Sequence, residues 1–313
     1  MNSVLVLLST YNGERYLREQ LDSLYAQEEV ELQILVRDDG SSDTTSEIIN
    51  EYKQKKGRLT VYYDDNVGAN YSFFKLIEYA VTDMPKYDYY AFCDQDDVWF
   101  KDKLCVAIKQ LESTENEYKL LYTGYISTDA ELDPIKSDNK VREINSIGAN
   151  IVSNHIQGCR MVFNRGLLEK INLINSEKIK EVFNEIPSFH DSWTMIVAYA
   201  LGGLVIDDPI PRMYYRQHGH NVVGDGGGKW NLFVKRVRTY LTTNTCSKSF
   251  RCKCVQILMG DEIPLANREL IDLCANYKSN FSQKIRLLFR KEIYEYGLTV
   301  NLGVFILVLF NKF

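Results

Sequence analysis

Residues 92–99 read FCDQDDVW and place three carboxylates, Asp94, Asp96 and Asp97, within four positions. Carboxylates this close repel one another and lose hydration when a fold covers them, so a cation or a dense set of hydrogen-bond donors is expected beside them. Oxygen ligands of this kind hold Mg²⁺ or Mn²⁺. The alternative is a solvated acidic turn, which is a common use of such residues. This segment alone leaves both interpretations open.

The elements around the acidic segment alternate between strand and helix. Residues 3–9, SVLVLLS, form a near-continuous apolar run typical of a strand buried on both faces, and apolar residues recur at helical spacing from Leu17 to Tyr25. The alternation continues through ELQILVRDD, GSSDTTSEIINEY, RLTVYYD, NYSFFKLIEYAV, DYYAFCD and KDKLCVAIKQLE. This pattern predicts an α/β fold with a mostly parallel central sheet flanked by helices.

Polar segments follow three of the predicted strands. STYNGE follows the first strand and RDDGSSD the second, and the acidic segment CDQDDVW follows the strand DYYAFCD. Ligands of such folds bind beyond the carboxyl ends of the strands, so these three segments are expected to meet at one edge of the sheet. This placement favours a functional site over a solvated turn.

Several nucleotide-binding motifs are excluded by the sequence. The first strand is followed by STYNGE, whose single glycine does not make the G-x-G-x-x-G loop of dinucleotide-binding enzymes, and no G-x-x-x-x-G-K-[ST] loop is present. The segment DQDDVW lacks the glycine of a calcium-binding EF-hand loop. If a phosphate group binds here, a divalent ion held by Asp94 and Asp96 is the expected source of positive charge.

Charge is distributed unevenly along the 313 residues. Residues 1–228 carry 23 Lys and Arg against 36 Asp and Glu, whereas residues 229–313 carry 14 against 6. The acidic part argues against general nucleic-acid binding, which needs cationic side chains along a groove. The basic part suits an anionic membrane surface, with a solvated helical face as the alternative.

The seven cysteines occur at irregular spacing, which does not indicate a disulfide framework. No basic, apolar and small-residue secretion leader precedes SVLVLLSTYNGE, so we expect a reducing, cytoplasmic location. The cluster CSKSFRCKC, with Cys246, Cys252 and Cys254, has no nearby histidine and lacks zinc-knuckle spacing. Three free thiols are expected there.

Four segments together resemble glycosyltransferase family 2, the inverting GT-A enzymes. They are, in order, STYNGERYLREQLDSL, VRDDGSSDTT, FCDQDDVWFKDKL and HDSW, and the similarity covers roughly residues 1–225. CDQDDVW and YRQHGHNVVG are similar to its bacterial rhamnosyltransferase-type members. Each motif alone is weak, since DDGSSD also fits a capped turn, but four in register are specific. The resemblance implies a GT-A fold that binds a nucleotide-diphosphate sugar.

The resemblance also implies roles for residues at matching positions. Asp94 matches the acid on the ribose and metal side, Asp96 the direct metal ligand, and Asp97 a residue behind them. Asp39 matches the acceptor of a hydrogen bond from the pyrimidine, while the neighbouring Asp38 has the cap of a strand end as its alternative. The implied nucleotide and donor-binding residues are Thr10, Tyr11, Glu14, Asp39, Asp94 and Arg216.

Inverting sugar transfer needs a carboxylate that takes the proton of the acceptor hydroxyl as this oxygen attacks the anomeric carbon. The base of the family lies near the start of a helix after the main sheet, where SFHDSWTMIVAYALGG supplies His190 and Asp191. We expect Asp191 to be the base, although it also suits a helix cap, and the two roles are compatible. His190 and Trp193 are expected at the acceptor, with a core aromatic as the alternative for Trp193.

A late segment, PRMYYRQHGHNVVG, follows a short predicted strand, LVIDDP. In related enzymes a histidine from this loop closes over the metal or diphosphate, which implies His218, with His220 as the second candidate, as a metal ligand. Arg216 is expected to pair with phosphate. IQGCRMVFNR resembles the stretch of the family that faces the acceptor, where Gly158 would permit close backbone approach.

The α/β rhythm stops near residue 228. We expect a catalytic domain over residues 1–228, with a nucleotide-binding half (1–115) and an acceptor-binding half (116–228), and a basic, mainly helical extension over 229–313. The apolar run from Gly297 to Phe310 has 14 residues. A membrane-spanning helix needs about 20, so this run is expected to lie on a membrane surface. Packing on the catalytic domain or a partner subunit is the alternative.

These observations predict a metal-dependent inverting glycosyltransferase using Mg²⁺ or Mn²⁺. It would move a sugar, rhamnose from a thymidine-diphosphate donor by the resemblance, to a hydroxyl of a surface polysaccharide or lipid-linked glycan, at the inner face of the cell membrane. Two alternatives remain. A nucleotidyltransferase would also use paired acids and a metal, but it usually brings a triphosphate loop that is not visible here, and an inactive nucleotide-sugar-binding scaffold would keep the fold without turnover.

Overall fold

The computed structural model describes residues 1–135, 145–154, 156–182, 189–218 and 247–313, without the side chains of residues 180–182. Four features of the sequence analysis lie outside these residues. They are His220, Cys246, the predicted domain boundary at residue 228 and residues 229–246 of the basic extension.

Eight strands make up the sheet. They are β1 (Asn2–Thr10), β2 (Val30–Asp38), β3 (Leu59–Tyr63), β4 (Tyr89–Cys93), β5 (Val98–Trp99), β6 (Lys119–Thr128), β7 (Met161–Asn164) and β8 (Leu204–Arg216).

The helices of the described residues alternate with the strands at first, and helices alone follow β8. They are α1 (Leu17–Tyr25), α2 (Thr45–Lys56), α3 (Ala69–Thr82), α4 (Lys103–Glu112), α5 (Ile147–Val152), α6 (Arg165–Asn172), α7 (Glu177–Val182), α8 (His190–Ala200), α9 (Lys248–Met259), α10 (Leu265–Asn276), α11 (Phe281–Leu288) and α12 (Leu298–Leu309).

The sheet has the strand order β3-β2-β1-β4-β7-β6-β8-β5. Strands β3, β2, β1 and β4 are parallel neighbours, β7 is antiparallel to both β4 and β6, β8 is parallel to β6, and β5 is antiparallel to β8. The prediction of a mostly parallel sheet with flanking helices is confirmed. Strands β5 and β7, which are two and four residues long, carry too little pattern to be found in the sequence.

Strand β1 forms the centre of the core. Val4 to Leu8 have no solvent exposure, because β1 lies between β2 and β4 and helices cover both faces. Its carboxyl end, Thr10, is paired with Asp38 of β2, so the polar segments that follow the two strands leave the sheet side by side. The acidic segment follows Cys93 of β4, the neighbour of β1 on the other side.

Strand β8 is longer than the sequence indicates. The prediction ended this strand near Pro209 and placed Arg216 on a loop, but β8 continues to Arg216. Pro209 and Pro211 suggested a strand end because proline donates no ladder hydrogen bond. Strand β6 accommodates them through register shifts on either side of Gly124, after which pairing resumes and runs to Thr128 and Arg216.

The chain forms two compact units. The first contains residues 1–140, 156–175 and 203–220, and the second contains residues 141–155, 176–202 and 221–313. The whole sheet belongs to the first unit, whereas α5, α7, α8 and the C-terminal helices belong to the second. Among the described residues, α5 and α8 pack against the C-terminal helices. The predicted domain bounds and the functional halves of the predicted catalytic domain remain predictions.

The C-terminal residues form four helices, α9 to α12, and side chains cap several of them. Ser247 accepts a hydrogen bond from the N–H of Phe250 at α9, and Asn280 accepts one from the N–H of Gln283 at α11. Helix α12 has 12 residues. Among the described residues, no helix combines the length and apolar character needed to cross a bilayer.

The register shift in β6 yields a stability prediction. A Cβ atom at Gly124 would lie 2.8 Å from the carbonyl carbon of Pro209 and 2.9 Å from that of Ile210. Since backbone atoms cannot turn away as side chains can, Gly124→Ala should lower the free energy of unfolding by about 1–3 kcal/mol. Urea denaturation followed by circular dichroism measures this change.

Gly297→Ala is the matched control, because a Cβ atom at this position would meet no atom within 4 Å. Its unfolding free energy should stay within about 0.5 kcal/mol of the wild type. Equal stability of the Gly124 variant and the wild type would contradict the proposed close approach.

Candidate donor and metal site

Gln95 joins the acidic segment to the end of β1. Its Oε1 accepts hydrogen bonds from Thr10 Oγ1 at 2.6 Å and from the Tyr11 N–H at 2.8 Å, and its Nε2 donates to the Tyr11 carbonyl at 3.1 Å. Gly13 lies against this contact, since a Cβ atom there would be 2.8 Å from Thr10 Oγ1. The two polar segments are therefore held together by one side chain that the sequence analysis did not single out.

Tyr11 and Thr10 occupy different environments. The Tyr11 side chain is 48% exposed, whereas Thr10 is buried. An exposed aromatic ring at the carboxyl edge of a parallel sheet is a suitable surface for stacking a nucleobase. Thr10 instead supports the segment through Gln95.

Asp39 is buried and binds the chain's own backbone. Its carboxylate accepts hydrogen bonds from the N–H groups of Val67 at 2.9 Å and Gly68 at 2.8 Å, and it also pairs with the Arg37 guanidinium. Only 1% of Asp39 is exposed. In this structure Asp39 orders residues 64–68, and the predicted hydrogen bond to a pyrimidine remains untested.

Asp38 and Glu14 both hold the start of α2 and the turn before it. Asp38 Oδ1 accepts hydrogen bonds from the N–H and the hydroxyl of Ser41, which agrees with the strand-end cap. Glu14 Oε2 accepts from the N–H of Thr44 at 3.2 Å and from its hydroxyl at 2.9 Å. The exposed Glu14 carboxylate thus has a capping partner, and its predicted contact with the donor is untested.

Asp96 and His218 meet at the carboxyl edge of the sheet. His218 Nε2 lies 2.8 Å from Asp96 Oδ2, although the two residues are 122 positions apart in the sequence. Both side chains are partly exposed, at 13% for His218 and 17% for Asp96. The His218 ring stacks on Tyr16, with ring centroids 5.0 Å apart. The two predicted metal ligands are therefore in contact, and Tyr16 fixes the plane of the imidazole.

Asp97 lies deeper than its neighbours. It is fully buried, accepts a hydrogen bond from the Arg216 N–H at 3.2 Å, and is hydrogen-bonded to the Cys159 thiol. Burial, and then the charges of Asp96 and Asp94, raise the pKa of Asp97 well above its ordinary value. Asp97 therefore lies deeper than Asp96, and its supporting role in the site stays a prediction.

One group of potential metal ligands forms among the described residues. Ligand atoms of Asp94, Asp97 and Cys159 lie within 4.8 Å of one another, whereas Asp94 does not form such a group with Asp96 and His218. Burial raises the pKa of the Cys159 thiol well above its ordinary value, which keeps it neutral. A buried neutral thiol is a poor ligand for a hard cation, so this group does not fit Mg²⁺ or Mn²⁺.

Lys103 places a cation beneath the acidic segment. The side chain is fully buried, its Nζ lies 3.5 Å from the centroid of the Trp99 ring, and it donates to the Cys159 carbonyl. Burial lowers the pKa of Lys103 to about 8, while Cys159, Cys93 and Asp97 act in the opposite direction. Lys103 follows Asp97 by six positions, so the sequence indicates that it lies near the acidic segment, but it gives no sign that Lys103 is buried.

Arg216 is buried and binds groups of the chain itself. Only 2% of it is exposed, and its donors bind the Asp96 carbonyl at 2.8 Å, the Ala130 carbonyl and the Glu19 carboxylate. Its guanidinium also lies 4.5 Å from the Tyr16 ring centroid. Arg216 therefore fastens the backbone of the acidic segment to β8, and its predicted pairing with phosphate remains untested.

Gly158 begins a short buried 3-10 turn, Gly158–Arg160. The carbonyl of the next residue, Cys159, accepts the hydrogen bond from Lys103, so this turn packs directly under the acidic segment. Arg160 donates to the Thr123 carbonyl at 2.7 Å and lies over the Tyr125 ring. The contact of Gly158 with an acceptor remains a prediction.

The predicted base lies in the second unit, at the start of α8. Asp191 is in the first turn, and its Oδ1 accepts the Ser192 N–H. Burial raises the pKa of Asp191 to about 6, against the lowering effect of the Ser192 N–H and of the Arg251 charge. A carboxyl group with such a pKa is suited to accept a proton near neutral pH.

His190 and Trp193 belong to the same helix as Asp191. Burial lowers the pKa of His190 to about 3, so the imidazole is neutral at physiological pH. Trp193 is fully buried, which agrees with the core alternative and leaves no ring surface exposed for a sugar. The acceptor role of His190 is untested.

The first unit also has a cavity of about 400 Å³ at the opposite, amino edge of the sheet. It is bordered by Asn2, Asp88, Lys119 and Arg165, among others. None of its lining residues belongs to the predicted site, and ligands of parallel sheets bind at the carboxyl edge. We assign it no function.

The chain is similar in sequence to several bacterial proteins, including one from Shigella and one from Rickettsia. It is 29% identical over 226 residues to the dTDP-rhamnosyl transferase RfbG of Shigella flexneri, an alignment that spans 69% of this chain and 73% of that protein. It is 27% identical over 177 residues to an uncharacterized glycosyltransferase of Rickettsia typhi, which spans 55% of this chain and 53% of that protein. The chain therefore aligns with only about half of the rickettsial protein.

Solved structures share the fold. Residues 1–349 of Staphylococcus aureus TarS in complex with UDP-GlcNAc superpose with a TM-score of 0.52 at 16% identity, covering 98% of this chain and 81% of that one. S. aureus TarS gives a TM-score of 0.52 at 15% identity, covering 99% of this chain and 53% of that one. The predicted GT-A fold with C-terminal helices is confirmed.

The family model of glycosyl transferase family 2 matches residues 5–172. This region contains strands β1 to β4, the polar segments that follow them and the whole acidic segment, as well as the turn that packs beneath it. Because the match covers more than half of the residues, this chain belongs to glycosyl transferase family 2.

Proposed function

We propose that this protein is a metal-dependent inverting glycosyltransferase that uses a nucleotide-diphosphate sugar. The contact between Asp96 and His218 carries this proposal, since two segments 122 positions apart bring a carboxylate and an imidazole together where ligands of such sheets bind. The exposed Tyr11 ring beside them suits a nucleobase. Both features belong to one edge of the first unit.

Asp96 and His218 would hold the ion. The resemblance adds Asp94, whose ligand atom lies near those of Asp97 and Cys159 in this structure. Carboxylate oxygens and one imidazole nitrogen suit Mn²⁺, and the oxygens also suit Mg²⁺. Asp96 and His218 are preorganised for this role by the Arg216 contact with the acidic segment and by the Tyr16 stack. A bound divalent ion would offset the negative charge that develops on the leaving diphosphate.

The donor is proposed to be a thymidine-diphosphate sugar, and specifically dTDP-rhamnose. The similarity to the Shigella rhamnosyl transferase supports this choice. The acceptor would be a hydroxyl group of a surface polysaccharide or lipid-linked glycan. The excess of Asp and Glu over residues 1–228 argues against a nucleic-acid acceptor.

Asp191 is proposed as the general base. Its carboxylate would take the proton of the acceptor hydroxyl while that oxygen forms a bond to the anomeric carbon from the face opposite the leaving group. The bond from the anomeric carbon to the diphosphate oxygen breaks in the same step, and the electron pair leaves with the nucleotide diphosphate. The neutral His190 beside it cannot serve as a cationic acid at physiological pH.

The metal ligand predicts the first kinetic test. The wild type is assayed with a panel of thymidine- and uridine-diphosphate sugars. It should release the nucleoside diphosphate from one of these donors, and this release should require added Mn²⁺ or Mg²⁺. Asp96→Ala should lower kcat/KM by more than about 100-fold, because losing even an outer partner of a metal ligand costs about 10- to 100-fold. A coupled assay for the released nucleoside diphosphate gives kcat/KM for the wild type and for the variant.

The exposed Glu115→Ala variant serves as the matched control and should keep the wild-type rate. Release of pyrophosphate from a nucleoside triphosphate would instead identify a nucleotidyltransferase. Donor binding without turnover in the presence of metal and a glycan acceptor would identify a scaffold.

The proposed base predicts a second, separate result. Asp191→Asn should keep donor binding, measured by calorimetry with the nucleotide diphosphate and Mn²⁺, but lower kcat by about 10²- to 10⁴-fold. A variant that turns over normally would show that Asp191 is not the base.

The pKa of Asp191, about 6, also predicts a pH profile. A general base acts in its ionised form, so kcat should be constant above this pH and fall about tenfold per unit below it. Turnover measured with saturating donor from pH 4.5 to pH 9 tests the profile. A rate that rises as the pH falls below 6 would contradict the assignment.

The C-terminal helices are proposed to bind the inner face of the cell membrane. Exposed apolar residues on and beside α11 and α12 would form the membrane-binding patch, namely Phe281, Phe289, Leu298, Leu302, Phe305 and Leu309. Residues 281–313 carry five Lys and Arg against two Glu. Apolar side chains flanked by cations fit an anionic lipid surface.

Replacing Phe281 and Phe289 by serine should weaken binding to phosphatidylglycerol vesicles at least about tenfold, because each ring contributes roughly 1.5–3 kcal/mol when it leaves water. Leu265→Ser is the control, since Leu265 is 80% exposed but lies outside the patch. Co-sedimentation at low and high salt measures binding. Self-association of the wild type through the patch, without vesicle binding, would contradict the proposal.

A further inference from the structure

Arg251 reaches from the C-terminal helices to the start of α8. It lies in the first turn of α9, only 8% of it is exposed, and its Nη1 donates to the hydroxyl of Ser192. Ser192 follows the proposed base Asp191 directly, and all three residues belong to the second unit. A cation from a segment 59 positions later is thus fixed beside the base.

The same guanidinium also holds the end of α5. Its Nη2 donates to the carbonyls of Asn150 at 3.2 Å and Ile151 at 2.7 Å. The last carbonyls of a helix lack partners within the helix and carry partial negative charge, so a buried cation there is stabilised. Arg251 therefore joins α5, α8 and α9 through one planar group whose geometry lysine cannot reproduce.

The positive charge of Arg251 acts on Asp191. Burial raises the pKa of Asp191 to about 6, and Arg251 is the charged side chain that lowers it. Helices α5, α9 and α10 pack against α8. Helix α5 carries no titratable side chain, and the titratable residues of α9 and α10 are Lys248, Arg251, Cys252, Lys253, Cys254, Arg268, Glu269, Asp272 and Cys274.

We propose that Arg251 is a positioning residue for the general base, which orients the first turn of α8 through Ser192 and supplies the fixed positive charge that favours the ionised form of Asp191. This inference rests on the proposed function of Asp191. It makes the C-terminal helices part of the catalytic machinery, although they lie outside the 5–172 region that the family model matches. Arg251 itself touches no reacting atom in this scheme.

The charge is tested with Arg251→Gln, which keeps hydrogen-bond donors but removes the cation. The acidic limb of the pH profile of kcat should move upward by about one unit, as expected for the loss of a nearby opposite charge. The rate should then fall about fivefold at pH 6 and change less than about 1.5-fold at pH 8. The donor KM should be unchanged, and Arg251→Lys should return the limb toward its wild-type position.

Ser192→Ala tests the orientation and keeps the assay informative if Arg251→Gln does not fold, since it removes only one hydroxyl. It should lower kcat several-fold at pH 8, where Asp191 is ionised, with an unchanged donor KM. Circular dichroism and thermal unfolding confirm that each variant is folded.

Three results would overturn the proposal. They are an acidic limb that stays in place in a folded Arg251→Gln variant, an equal loss of rate at every pH, which indicates a purely structural role, and a wild-type kcat for Ser192→Ala. These failures differ from failure of the proposed function, which would appear as normal turnover of Asp191→Asn.

Discussion

Three carboxylates within four residues can share one edge of a sheet only where positive charge and hydrogen-bond donors compensate them. The protein draws this compensation from distant segments. His218 contacts Asp96, the N–H of Arg216 binds Asp97, and the Lys103 ammonium lies beneath the segment. The end of β8, the start of α4 and the turn at Gly158–Arg160 therefore all contribute contacts to the acidic segment or to its buried lysine.

The three acids do not play equal parts, because burial separates them. Asp97 is fully buried, and burial, followed by the charges of Asp96 and Asp94, raises its pKa well above the ordinary value. Asp96 remains partly exposed beside His218. The raised pKa of Asp97 lessens the repulsion among the three acids, whereas Asp96 and His218 stay accessible to a cation. A hydrated ion binds partly exposed oxygens more readily than a buried carboxylate, because it would have to lose all of its water to reach the buried one.

The sequence predicted the fold well where periodicity and motifs agree, as in β1 to β4 and the helices between them. It failed where tertiary contacts override local signals. Pro209 and Pro211 indicated a strand end, yet β6 absorbs both through register shifts around Gly124. A motif gives the residue type without its direction, and only the fold shows that the Arg216 guanidinium binds Glu19. Gln95, placed between the acids, was overlooked because a neutral amide suggests no chemistry of its own.

The second unit applies the opposite strategy to a single carboxylate. Burial alone would push the pKa of Asp191 upward until the group became neutral and useless as a base, whereas a fully solvated carboxylate would be too weak a base near neutral pH. Burial raises the pKa of Asp191 to about 6, and the Ser192 N–H and then the positive charge of Arg251 act in the opposite direction. Since α5 and α8 contain no cationic residue, that charge must come from elsewhere in the chain, and α9 supplies it through Arg251. If Asp191 is the base, as proposed, the C-terminal helices are coupled to the chemistry by the charge of Arg251 as well as by packing.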